Sequence, residues 1–148
     1  MEIDKNQFGG SDIFSLTDNW NEEQVKRLPA RTLAYIGDAI YETALRLAHV
    51  RSSTDKSGRL HDSLVKIVCS SAQARLYDVV FSELTESEQA LVKCWKNSKQ
   101  PQNKCGSGTR AEYAKSTAIE AWVAYLFLTG QTARLQKIIQ QAANWQPE

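Results

Sequence analysis

Proline and glycine are scarce in this chain of 148 residues, at 3 and 7, which argues against a collagenous, Pro/Gly-rich disordered or turn-dense all-β protein. Cysteine is scarce too. Cys69, Cys94 and Cys105 are an odd number with no C-x-x-C pair, and the 2 histidines, His49 and His61, are too few to complete a Cys/His zinc site. That usage fits a reducing compartment. No apolar run exceeds the eight residues from Ala121 to Leu128, far short of the roughly 20 that a membrane helix needs. Residues 1–14 carry Glu2, Asp4 and Asp12 without an apolar stretch, so neither a secretory signal nor an Arg-rich transit peptide is expected. The expectation is a cytoplasmic protein without a membrane partner.

What is present points to helix. The chain is 42% hydrophobic and 24% charged, enough for one good core, and it is rich in Ala, Leu, Lys, Glu and Gln. A single all-α domain is predicted over 21–148, preceded by a flexible acidic leader over 1–20 that contains Gly9-Gly10-Ser11-Asp12 and would be anchored, if at all, by Trp20. Six helices are predicted. The first covers 22–28 and is stopped by Pro29. The second covers 30–50, with Leu33, Ile36, Gly37, Ile40, Ala44 and Leu47 as its buried stripe. A third, over 58–82, places Leu60, Leu64, Ile67, Val68, Ala72, Leu76, Val79 and Val80 on one face. Thr85 and Glu88 form a capping box that opens a fourth, running to 96. A loop over 97–109, holding Pro101, Gly106 and Gly108, leads to a strongly apolar fifth helix over 110–128 closed by Gly130, and a sixth covers 132–143.

The formal charge of +1 conceals a split. Residues 1–24 hold six acids against Lys5, whereas residues 25–148 hold 17 bases against 11 acids. Lys93, Lys96, Lys99, Lys104, Arg110 and Lys115 cluster with only Glu112 opposing them, a pattern that suits contact with a phosphate backbone and equally a solvated loop.

Two acids stand in apolar helical surroundings: Asp38 between Ile36-Gly37 and Ala39-Ile40, and Glu120 between Ala118-Ile119 and Ala121-Trp122-Val123. Carboxylates so placed pair with a base, turn to solvent or hold a metal, and position alone leaves these open. Glu42 lies one turn from both Asp38 and Arg46 and reads as the ion-pair partner of Arg46. His49 and His61 read as structural or surface residues, and Trp122, Tyr125 and Phe127 as core.

The segment Leu33-Ala34-Tyr35-Ile36-Gly37-Asp38-Ala39-Ile40-Tyr41-Glu42 resembles the signature helix of the ribonuclease III catalytic domain, and Tyr113-Ala114-Lys115-Ser116-Thr117-Ala118-Ile119-Glu120-Ala121 resembles that family's second acidic helix. Leu60-His61 and Ser71-Ala72-Gln73-Ala74 fit the same frame, and the likeness spans roughly 25–140. It is greatest to the Mini-ribonuclease III branch, which has the nuclease domain without a double-stranded-RNA-binding domain; none is expected in a chain of this length. Ala34 and Thr117 stand where the larger enzymes usually carry two further acids, a reduction that the Mini branch shares.

The resemblance implies an Mg²⁺-dependent endoribonuclease, with Mn²⁺ as a substitute, that cuts duplex regions of structured precursor RNA, ribosomal RNA being the family's usual substrate. Asp38 and Glu120 would be both catalytic and metal-binding. A homodimer would present one centre to each strand, with Tyr35 at the interface, and the products would carry 5′-phosphate and 3′-hydroxyl ends. Elementary chemistry agrees, because phosphodiester hydrolysis needs the charge growing at phosphorus neutralised and Mg²⁺ takes hard carboxylate oxygens as ligands. Two rivals are a non-catalytic duplex-RNA-binding protein of the same fold, opposed by the retained acids, and an all-α nucleotide pyrophosphohydrolase, opposed by the lack of an E-x-x-E pair near Asp38 or Glu120.

Overall fold

The computed structural model describes residues 20–52, 57–99 and 108–144. Among them are seven helices and no strand: α1 (Glu22–Lys26), α2 (Ala30–Ser52), α3 (Ser57–Val68), α4 (Ser70–Glu83), α5 (Glu86–Lys96), α6 (Arg110–Leu128) and α7 (Thr132–Ala143). Residues 1–19, expected to be a leader, and 100–107 of the expected loop lie outside the described residues; Trp20 is described and is exposed.

Local chemistry explains the boundaries. Asn21 with Gln24, Thr85 with Glu88 and Thr109 with Glu112 each form a reciprocal capping box, so α1, α5 and α6 begin where their sequences supply a side-chain acceptor for the first free N–H groups. Pro29, which has no N–H to leave unpaired, precedes α2 and accepts from Thr32 and Leu33. At the far end of α6, Gly130 adopts φ 71°, its N–H reaching the Phe127 carbonyl while that of Gln131 reaches Leu126. This paired closure needs a left-handed residue after the helix, which glycine adopts without steric penalty.

The one continuous helix predicted over 58–82 is two. Cys69 is extended, at φ −66° and ψ 155°, between α3 and α4. The apolar positions keep helical spacing across this one-residue interruption, and neither Gly nor Pro marks it, so periodicity alone runs straight through. The stripe of α2 also differs from expectation: it passes through Leu33, Gly37, Tyr41 and Leu45, each one turn after the last, and leaves Leu47 outside.

Helix α6 is the axis of the molecule and packs chiefly on α2, then on α4 and α5, with α7 and α1 completing the surround. From Ala118 to Leu128 every residue except Glu120 and Phe127 is buried. A helix enclosed on nearly every side has no polar face, hence its long apolar sequence. Trp122 and Tyr125 are core as expected, stacked at 5.2 Å with Trp95 tilted against both, whereas Phe127 is exposed.

Candidate active site

Gly37 on α2 lies against the backbone of Glu120 on α6. A Cβ at Gly37 would stand 1.7 Å from the Glu120 carbonyl oxygen and 2.6 Å from its carbon, so the two helix backbones approach to a distance that only glycine permits. Asp38 is the next residue on α2, and the crossing brings its carboxyl within hydrogen-bonding reach of the Glu120 carboxyl. The two acids, 82 positions apart in the chain, thus meet.

Their environments differ. Asp38 is at the exposed edge, and Glu120 is half-buried. Burial, followed by the negative charge of Asp38, pushes Glu120 up to about 8. Burial and then the charge of Glu42 raise Asp38 as well, opposed by its hydrogen bond to Glu120. At neutral pH the pair alone therefore keeps one proton between two carboxyls. Glu42 is ion-paired with Arg46, as expected from the spacing.

Two hard oxygen donors held together against their mutual repulsion fit a divalent cation of the Mg²⁺ or Mn²⁺ kind, which would take the place of the shared proton. No group of three or more His, Cys, Asp or Glu suited to a metal occurs among the described residues, so most of such an ion's coordination sphere would be water or substrate phosphate. Ala34, buried in the α2 stripe, and the half-buried Thr117 occupy the neighbouring positions.

Three polar residues around the pair were not singled out individually by sequence reasoning. Tyr41, only 1% exposed, has its phenol raised by burial and then by the charges of Glu120 and Cys69, and so remains protonated. Gln73 of α4 and Ser116 of α6 are the buried polar residues of the described core, and the Ser116 hydroxyl donates to Gln73 Oε1. Their signal was present: Gln73 falls between Ala72 and Ala74 on a buried face, and Ser116 precedes Glu120 by one turn.

The predicted basic residues gather where α5 ends and α6 begins. Lys93, Lys99 and Arg110 are exposed, and Lys104 lies outside the described residues. Lys96 and Lys115 each lie 5.7 Å from the centroid of the Tyr77 ring, and Lys115 is ion-paired with Asp78 at 2.6 Å. Lys115 is five positions before Glu120, about 7.5 Å along the helix axis. Tyr35 is 82% exposed on α2, one turn before Asp38. His49 and His61 line a small surface pocket with Arg46, Val50, Leu60 and Leu64, and neither acid of the pair lines it.

The Ribonuclease III domain family matches residues 31–131. A Mini-ribonuclease 3 of Symbiobacterium thermophilum is 39% identical over 118 residues, covering 80% of this chain and 90% of its own. Those of Thermoanaerobacter sp. and Staphylococcus aureus are 32% and 30% identical, covering 84% and 82% of this chain and 87% and 92% of theirs. A crystallised protein from Fusobacterium nucleatum superposes with a TM-score of 0.68 at 26% identity, covering 78% of this chain and 91% of its own.

Proposed function

Because the chain belongs to the ribonuclease III family and is an endoribonuclease, we propose that Asp38 and Glu120 are its catalytic carboxylates, holding Mg²⁺, or Mn²⁺ in its place, against the scissile phosphate of duplex RNA. The reading is carried by one observation: the only acid within the buried stretch of α6 meets an acid of α2 at a crossing where no side chain separates the backbones. Residues 21–148 are the catalytic unit, and 1–20 are a leader outside it.

A cation bound there supplies electrostatic stabilisation of the charge that builds on the phosphate in the transition state. The chain's own groups hold and orient it. Asp38, at the edge, faces incoming RNA, while Glu120, deeper, is fixed by the packing of α6. Lys93, Lys99, Lys104 and Arg110 attract the phosphate backbone, together with Lys96 and Lys115 beside Tyr77. A-form RNA presents phosphates and 2′-hydroxyls across a shallow minor groove, so these contacts select shape more than sequence. The substrate is structured precursor RNA, ribosomal RNA first among the candidates, and the products carry 5′-phosphate and 3′-hydroxyl ends.

A single centre cuts one strand, and a two-fold pair cuts both. Among the described residues, four of the seven exposed large apolar side chains, Tyr35, Leu47, Val50 and Val65, are on α2 and α3, which supports this face as the contact between two copies. Asp38→Asn and Glu120→Gln are expected to abolish single-turnover cleavage of a duplex at saturating Mg²⁺ while circular dichroism and RNA affinity stay near those of the parent. Near-parental cleavage by either variant overturns the assignment.

A further inference from the structure

The acid pair leaves one buried group unexplained. Gln73 is 2% exposed, and the Ser116 hydroxyl, itself on a 7% exposed residue, donates to its Oε1. That bond determines which end of the amide faces which way. With the oxygen engaged by Ser116, Nε2 is left without a hydrogen-bond partner, and Gln73 is close enough to Glu120 to draw that carboxyl downward against the larger effects of burial and Asp38. A buried donor without a partner is unfavourable, and native structures rarely keep one without a reason.

We propose, on the reading that Glu120 holds the metal, that Gln73 is a positioning residue: its Nε2–H completes a hydrogen bond to one Glu120 oxygen when the other turns to the cation, and Ser116 keeps the amide facing that way. A carboxylate has two oxygens, so a cation held by one leaves the other free to accept from the buried amide that lacks a partner. The arrangement links three helices in order, with α4 supplying the amide and α6 both the hydroxyl that orients it and the carboxylate that receives it, one turn apart, opposite Asp38 of α2. It also gives Ser71-Ala72-Gln73-Ala74 a role beyond packing.

Partners of this kind alter metal affinity by about 10- to 100-fold when removed. Binding of Mn²⁺ alone, without RNA, is measured by titration calorimetry on the parent, Gln73→Met, Ser116→Ala and Glu120→Gln. Gln73→Met keeps the volume and removes the donor, and its dissociation constant for Mn²⁺ is expected to rise at least about tenfold. Ser116→Ala leaves the amide free to rotate and is expected to raise it severalfold, with duplex-RNA affinity unchanged in both.

A structural tie between α4 and α6 would lower the melting temperature of both variants and leave Mn²⁺ binding as in the parent, which overturns the proposal. Should Gln73→Met fail to fold, Ser116→Ala decides, because parental Mn²⁺ binding by it likewise overturns the proposal. Loss of Mn²⁺ binding in Glu120→Gln with parental binding in the other two removes only this inference. Parental binding in Glu120→Gln removes the reading of the site itself.

Discussion

A methyl group at residue 37 has nowhere to go: the atoms it meets are backbone, and no rotamer change can move them aside. Gly37→Ala should therefore push α2 and α6 apart, lowering stability by about 2–3 kcal/mol as overpacked cores do. It should also reduce cleavage in the remaining folded fraction, because the same displacement separates Asp38 from Glu120. Denaturant melts read together with single-turnover rates test this, and an alanine variant with parental rates would show that the acids do not depend on the crossing. The two acids were legible in the sequence because a charge amid apolar neighbours breaks a pattern, and the resemblance named them. Gln73 and Ser116 were not distinguished as individuals, since an uncharged polar residue on a buried face gives no sign of what it bonds until the facing helix is in place.

At the scale of elements, most helix boundaries were readable because capping boxes and the closing glycine are local chemistry, carried within a few residues. The break at Cys69 was not, because it leaves the apolar spacing intact, nor was the outward turn of Leu47 and Phe127, which depends on neighbours distant in the chain. Between elements, Arg134 of α7 binds Glu88 of α5 at 2.6 Å and lies over the Trp122 ring. The Glu88 carboxyl is held below its ordinary 4.5, foremost by that hydrogen bond. Its contribution to stability is therefore full above the ordinary value and is lost as pH falls through the lower, folded one. Glu88→Gln should flatten the acid side of a stability profile taken by thermal melts between pH 7 and 3, and an unchanged slope would mean that the pair contributes nothing. Where α5 meets α6, replacing the exposed Lys93, Lys99 and Arg110 by Ala should make the log–log salt slope of duplex-RNA binding shallower by about 2 to 3 units if all three touch phosphates. An unchanged slope and affinity would place the RNA elsewhere.

For the whole molecule, the exposed apolar residues of α2 and α3 include Tyr35, one turn from Asp38, so the proposed dimer contact would lie beside the proposed site. Light scattering should find a dimer at micromolar concentration, and Tyr35→Ala should shift it toward monomer. A parent that is monomeric yet cuts both strands in one encounter would refute that geometry. The central place of α6 has a further consequence, for synthesis. Five helices precede it in the chain, and the surface against which α2, α4 and α5 bury their apolar faces is translated only after all of them. A nascent chain that has emerged as far as residue 109 still lacks the helix on which α2, α4 and α5 chiefly pack. The apolar faces of these helices are thus synthesised before the helix that covers most of them. A chain that stops before α6 is therefore expected to expose these apolar faces and to aggregate, which sedimentation of a 1–109 fragment would check.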